Sequence, residues 1–344
     1  MTTTQDNVRE DTRDVAEGGW AVRARPDGAR LRVLLLTSND PQHAWLRRLL
    51  ADRLDLVMTV VEPGAAQKRR LRDKGRHSDL AYRVYQGWRQ RLTGRARWRR
   101  AYFARLSEGL PEAGSPLHRV DSVNSAETRR LVAEAAPDLT VVCGTSVLGR
   151  RLIEATPGMM VNIHGGWLPE YKGNHAVYFA YRAQDWERIG ASLHLVTPTL
   201  DAGPLLDRVT PGFLPGDTDE RLYSRSVHHA ALRLVELALV LEEGRSLTVR
   251  PQEDKGTTYR HRDRRPLPEL LLVLRRAVGA HRLPAESVRS VQEALGGREE
   301  TGERAAAQIA APGHLLTWDD MLRLTDRLTA TRNVASRSSG GRAG

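Results

Sequence analysis

The 344-residue sequence holds one cysteine, Cys143. A lone thiol excludes an intrachain disulfide and any cysteine-based zinc site, and it fits a reducing cytoplasm. Long apolar runs are missing too. None approaches the roughly 18 residues that a membrane-spanning helix needs, so no such helix is expected. Residues 1–29 mix Asp, Glu and Arg without an apolar core segment, and they read as a disordered leader and not as a signal peptide. Neither a Walker A pattern nor GxGxxG occurs, which leaves a P-loop or dinucleotide fingerprint unsupported. Positive charge is what the chain has in excess, +11 net, and it is unevenly placed. Between Ala65 and Arg105 fourteen Lys or Arg stand against two Asp, so that segment carries +12 and the remainder about −1. Any partner for the basicity belongs there.

The order of apolar runs and breakers predicts the architecture. Residues 32–36 (RVLLL) read as a buried strand, after which Asp40-Pro41 opens a helix carrying Leu46, Leu49 and Leu50 on one face. Residues 56–61 form a second strand, ended by Pro63-Gly64. In the basic segment Leu80, Val84, Trp88 and Leu92 recur every four residues, which predicts an amphipathic helix packed on the domain through that stripe. Residues 117–120 suggest a short strand, and Asn124 with Glu127 resembles a capping box for a helix running to Ala136. Residues 139–143 (LTVVC) and 160–163 are further buried strands with a short helix between them. The expected fold class is α/β: a Rossmann-like, mostly parallel sheet with helices on both faces. Ligands of such sheets sit beyond the carboxyl ends of the strands, where Asn39, Gly144 and His164 fall.

Beyond Gly190 residues 192–196 and 205–209 read as short antiparallel strands, and Asp217 or Thr218 caps a long helix through Leu241, closed by Gly244. Residues 266–274 and 318–330 suggest two more helices, and residues 334–344 a disordered tail. The organisation expected is a leader at 1–29, a catalytic domain at 30–250 with a basic helical insertion at 65–110, a helical C-terminal extension at 251–333, and the tail.

The candidate chemistry lies in MVNIHGGWLPEYKG, residues 160–173, and in Asp201 of TLDAG. Side chains alternate along a strand, so Asn162 and His164 leave it on the same side, just before Gly165-Gly166 breaks it. Other motifs are set aside. In Gly144-Thr145-Ser146-Val147-Leu148-Gly149 the second glycine is one residue too far for a nucleophile elbow, and His164 precedes Asp201. His228 and His229 are adjacent, whereas metal ligands sharing a helix face need a spacing of three or four. No metal is expected.

Asn-x-His in a strand, then Leu168-Pro169-Glu170-Tyr171-Lys172-Gly173, then Asp201-Ala202-Gly203, resemble the formyltransferases that use 10-formyltetrahydrofolate. The resemblance spans roughly residues 32–244 and is centred on 137–210. It implies a formyltransferase fold and the folate as formyl donor, lying against Gly144, Thr145, Ser146, Val147 and Leu148. Two departures matter. Gly165-Gly166-Trp167 replaces the residues usual in the loop. The run Thr37-Ser38-Asn39-Asp40 lacks the glycine-rich phosphate loop of glycinamide-ribonucleotide formyltransferases. Methionyl-tRNA formyltransferases end in a β-barrel domain, whereas residues 250–344 read here as helix and coil.

Moving a formyl group between nitrogens passes through a tetrahedral oxyanion. Asn162 can donate a hydrogen bond to it, and His164 can stabilise it or shuttle the amine's proton, with Asp201 beside them. Asn39, His43, Tyr171, Lys172, Gly173 and His175 are the expected acceptor-side residues, with Arg95, Arg97, Arg99 and Arg100 at the entrance. The first reading is an N-formyltransferase acting on a small amine, an amino sugar nucleotide or a secondary-metabolite amine. Formylation of an aminoacyl-tRNA or a carrier-bound amine is the same-fold alternative. A non-catalytic nucleic-acid-binding protein is the third. The expected setting is cytoplasmic, without a membrane partner, and homodimer formation stays open.

Overall fold

Short apolar runs separated by helices fold as a seven-stranded sheet in the computed structural model, which describes residues 20–22, 30–253 and 255–284. Across the sheet the order is β4 (Leu117–Arg119), β3 (Asp55–Val61), β2 (Arg32–Thr37), β5 (Leu139–Cys143), β6 (Met159–His164), β8 (Ala191–Leu195) and β9 (Leu205–Val209). Strands from β4 to β6 run parallel, and β8 and β9 add as antiparallel neighbours. The expected α/β class and the antiparallel change after Gly190 are both present. The chain leaves β2 for β3 and β4 on one side and returns to β5 on the other. A crevice therefore opens at the carboxyl ends of β2 and β5.

Alternation along the strands sends Val33, Leu35, Val141 and Val161 to one face and Leu34, Leu36, Val142 and Met160 to the other. The first face is covered by α1 (Pro41–Arg53), which starts at N-cap Asp40 with proline as its first residue, and by α8 (Asp219–Glu242). The second is covered by α5 (Ala126–Ala135) and α6 (Arg150–Ala155). Thr218 caps α8 by accepting the Arg221 N–H at 3.3 Å. The α5 cap is Ser125, one residue later than the sequence suggests, with Oγ accepting the Thr128 N–H at 3.1 Å. Asn124 serves the neighbouring loop instead. Its Oδ1 accepts the Gly149 N–H at 2.6 Å, and Nδ2 donates to Val147 O at 2.9 Å.

The basic segment folds as α2 (Gly64–Asp73), α3 (His77–Leu92) and α4 (Arg95–Leu106). The helix expected around Leu80 forms, but it packs by the opposite face. Val84, Trp88 and Leu92 are exposed, whereas Asp79, Gln86 and Arg89 are buried. The elements facing α3 supply carboxylates and carbonyls, so its polar side chains find partners there. Tyr85 Oη donates to Glu269 at 3.2 Å, Gln86 Nε2 donates to Arg264 O at 3.3 Å, and Arg89 pairs with Glu269 at 2.7 Å. Glu269 belongs to α9 (Pro266–Ala277), the helix expected from the run at 266–274.

Two pieces of the outer chain form strands against expectation. Within the supposed leader, β1 (Trp20–Val22) pairs antiparallel with β10 (Leu247–Val249). Within the region read as helix and coil, β11 (Thr257–Tyr259) pairs parallel with β7 (Tyr171–Gly173). Both runs are too short to show a period, and only their distant partners define them as strands. The helix expected at 318–330 and the tail at 334–344 lie outside the described residues. No helix among the described residues is long and apolar enough to cross a membrane.

Candidate active site

A cavity of about 390 Å³ occupies the crevice. Its wall takes Asp40, Gln42 and His43 from the turn after β2, Gly144, Thr145, Ser146, Val147 and Leu148 from the turn after β5, and Asn162 and His164 from β6. Asp201, Gly173 and His175 complete the side nearest β6. The three residues expected to do the chemistry are thus together, along with all five expected to meet the folate.

Their geometry follows from two strands. In the antiparallel pairing of β6 with β8, Asn162 stands opposite His194 and His164 opposite Ser192. Burial lowers the His194 pKa to about 4, even though Asp201 opposes that shift, so the ring is neutral. Its Nδ1 lies 2.9 Å from Leu195 O and must donate there. Nε2 is then an acceptor for the Asn162 amide N–H at 3.0 Å. This bond fixes which way the amide faces and leaves its second N–H to the cavity.

His164 Nε2 lies 2.9 Å from Tyr171 O and donates to it. The other nitrogen, Nδ1, faces Asp201 Oδ2 at 3.6 Å and is free to take a proton. Asp201 sits in a left-handed backbone conformation, φ 51°, and is held from two directions. Its Oδ2 accepts the Gly173 N–H at 2.7 Å, and its carbonyl accepts from Gln252 at 3.1 Å. Its Oδ1 lies 3.7 Å from His194 Nε2.

The glycines that interrupt MVNIHGG have steric reasons. A Cβ on Gly166 would stand 2.6 Å from His164 Nε2, and one on Gly165 2.4 Å from the Tyr223 ring. Gly173, at φ 81°, brings its N–H to Asp201 while Tyr259 O lies where a Cβ would be.

Other expected residues fall elsewhere. Asn39 does not line the cavity; its Oδ1 accepts the Gly64 N–H at 2.9 Å and fixes the start of α2. Tyr171 also turns away, its hydroxyl donating to Asp185 at 2.8 Å and its ring stacked on Tyr259. Lys172 is buried in the β7–β11 pair and is not part of the wall. His43 does line the cavity: Nδ1 accepts the Asp40 N–H at 3.3 Å, and burial holds the ring neutral with a pKa of about 4. Its Nε2 is buried without a protein partner. His175 meets His261 through Nε2 and Nδ1 at 3.1 Å, and burial keeps both pKa values low, His261 at about 4.

Of the arginines expected at the entrance, only Arg99 lines the cavity, and it pairs with Glu220 at 2.5 Å. Arg95 pairs with Asp219 at 2.8 Å, whereas Arg97 and Arg100 are exposed. Asp219 also receives Arg264 at 2.7 Å. Burial opposes its ionisation, but Arg264 and Arg95 hold it well below the usual carboxylate range.

Sequence reasoning missed His194, His261 and Arg264. His194 was legible, because Ser192 and His194 alternate in a buried strand as Asn162 and His164 do. His261 and Arg264 carry no local signal. Cys143 is buried, which pushes its thiol up to about 12 and leaves it a packing residue. Among the described residues no group of three His, Cys, Asp or Glu is placed to hold a metal ion.

The family model described as formyl transferase matches residues 97–238. The chain is 35% identical over 148 residues to the methionyl-tRNA formyltransferase of Mycobacterium ulcerans (strain Agy99), covering 43% of this chain and 47% of that one. It is 30% identical over 231 residues to the methionyl-tRNA formyltransferase of Mycobacterium tuberculosis (strain ATCC 25177 / H37Ra), covering 66% and 64%. The chain thus spans less than two thirds of the length of these relatives. A solved phosphoribosylglycinamide formyltransferase from Streptococcus pneumoniae TIGR4 aligns at 19% identity and a TM-score of 0.42, over 61% of this chain and 97% of that one.

Proposed function

Because residues 97–238 match the formyl transferase family model, we propose that the protein moves a formyl group from 10-formyltetrahydrofolate to an amine. The observation that carries this reading is the constellation at the end of β6. A neutral histidine aims the Asn162 amide, while His164 presents a free Nδ1 beside Asp201.

The donor supplies an activated formyl carbon on a folate nitrogen. Asn162 donates its free N–H to the formyl oxygen as an attacking amine converts that carbonyl to an oxyanion. His164 takes the proton released by the amine at Nδ1 and returns it to the departing folate nitrogen. Asp201, 3.6 Å from Nδ1, stabilises the imidazolium between those two events. The new carbon–nitrogen bond forms on the acceptor as the old one breaks, and the products are a formamide and tetrahydrofolate. Gly144, Thr145, Ser146, Val147 and Leu148 hold the folate, and His43, Gly173 and His175 face the acceptor.

The acceptor is a small amine. What supports this is that both arginines on that wall are already paired, Arg99 with Glu220 and Arg264 with Asp219, so neither guanidinium is left over for a phosphate. The methionyl-tRNA formyltransferase relatives favour a second reading, formylation of an aminoacyl-tRNA, with the exposed Lys68, Arg72, Lys74, Arg91, Arg97 and Arg100 meeting phosphates. One assay separates the two. The protein is incubated with 10-formyltetrahydrofolate and either a panel of small amines or charged initiator tRNA, and tetrahydrofolate release is followed. Turnover with tRNA alone replaces the first reading by the second; no release with any acceptor removes both.

A further inference from the structure

Glu62 follows β3 directly and is completely buried, 0% exposed, yet it lies outside the constellation described above. Five donors converge on its carboxylate. One oxygen accepts from the Val123 N–H at 3.0 Å, from Ser146 Oγ at 3.1 Å and from the Arg70 guanidinium. The other accepts from the Ser146 N–H at 2.9 Å and from Gln67 Nε2 at 3.1 Å. Arg70 also donates to Ser146 Oγ at 3.1 Å. Arg83 of α3 holds the Gln67 amide at 2.8 Å. Asn124 grips the same loop farther on, at Val147 O and the Gly149 N–H.

We propose that Glu62 and Arg70 are positioning residues for the formyl donor, forming a clasp that sets the backbone of the turn after β5. This rests on the reading of Gly144, Thr145, Ser146, Val147 and Leu148 as the folate-binding wall. The clasp takes up both the N–H and the hydroxyl of Ser146, in the middle of the run of wall residues that ends at Leu148. The first helix of the basic segment is therefore tied to donor binding through Arg70, not to the acceptor entrance. A buried carboxylate with five donors has no tolerance for an amide. Whichever way a glutamine at 62 turns, its NH2 meets another donor and leaves buried groups unpaired.

The test is calorimetric titration of the full chain with 5-formyltetrahydrofolate, a stable analogue that needs no acceptor. Glu62→Gln is expected to weaken binding by about tenfold or more, and Arg70→Met by roughly threefold to tenfold. Arg70→Lys, which keeps a charge beside Glu62, should recover most of the affinity, while Arg245→Gln, exposed just past the end of α8, should change nothing. Amide exchange sharpens the result. Protection should fall at Ser146 and Val147 in Arg70→Met but not in β5, which separates a loosened loop from a destabilised fold. Wild-type affinity in both folded variants overturns the proposal. If Glu62→Gln does not fold, Arg70→Met decides alone, and unchanged affinity there overturns it equally. Absence of binding by the wild-type protein is a distinct outcome, which removes the donor assignment itself and this clasp with it.

Discussion

Helices α1 and α8 turn Trp45, Leu46, Val227 and Leu234 into the sheet, while α3 buries Asp79, Gln86 and Arg89 and leaves Val84, Trp88 and Leu92 in solvent. Both kinds carry an apolar stripe at helical spacing. What differs is the neighbour. The sheet faces offer mostly aliphatic side chains, so apolar surface is what gains from burial there. The elements against α3 offer Glu269 and the Arg264 carbonyl, and Glu269 in turn holds both Arg89 and Arg264. A charge is tolerated inside when it is paired. The α8 N-terminus extends the same logic, with Asp219 and Glu220 receiving Arg95 and Arg99. Much of the chain's concentrated positive charge is thereby used inside the molecule.

The comparison can be strained in four ways. Acid should have the largest effect, since it reaches both regions at once. Burial holds His194 and His229 beside the sheet, and His261 near α3, at pKa values of about 4. In the unfolded chain each would titrate near the ordinary value of about 6.5. The unfolded state thus binds more protons between those values, so stability is full above about pH 6.5 and falls as pH drops toward 4. Thermal melts across that window check this, and a flat Tm from pH 7 to 4.5 contradicts it.

Removing one partner of the buried ion network comes next. Glu269→Ala takes the carboxylate from Arg89 and leaves Arg264 with Asp219 alone, and loss of about 3–5 kcal/mol in denaturant unfolding is expected. A loss below 1 kcal/mol, by the same measurement, would show that water reaches the network and that α3 is not held by it.

Within the sheet-end region the effect should fall on rate and not on stability. Asn162→Ala and His164→Ala are each expected to lower turnover by about a hundredfold, close to 3 kcal/mol of barrier, while Tm stays near the wild-type value. Turnover within a few-fold of wild type, against a verified acceptor, would remove these residues from the mechanism.

The smallest effect should come from the exposed stripe. Trp88→Ser is expected to change stability by no more than about 0.5 kcal/mol, whereas the same change at Trp45, buried against Phe103 at a ring separation of 5.5 Å, should cost several-fold more. Equal losses at the two tryptophans would mean that the Trp88 face is covered in solution.

How much was legible beforehand depended on whether the signal was local. The strands at 32–37, 139–143 and 159–164, and the long helix after Thr218, follow from runs, caps and breakers within a few residues. Asn162 and His164 on one side of β6 follow from alternation alone. That Asn39 and Tyr171 point away from the cavity was not legible, because their hydrogen-bond partners, Gly64 N–H and Asp185, lie 25 and 14 residues away. Arg264 reaches the cavity wall through a loop that has no periodicity to read.

By itself, then, the sequence determined the strands of the central sheet, the helices long enough to show a period, and which polar side chains leave a strand together, because backbone geometry repeats every two residues in a strand and every 3.6 in a helix. Tertiary structure decided which face of α3 is buried, that Trp20–Val22 joins Leu247–Val249, that Glu62 gathers Ser146 and Arg70, and that His194 aims Asn162. Each depends on what a distant segment offers. A carboxylate 184 residues along the chain makes the Tyr85 side of α3 the inner one, since a polar group gains from burial only when its partner is already there.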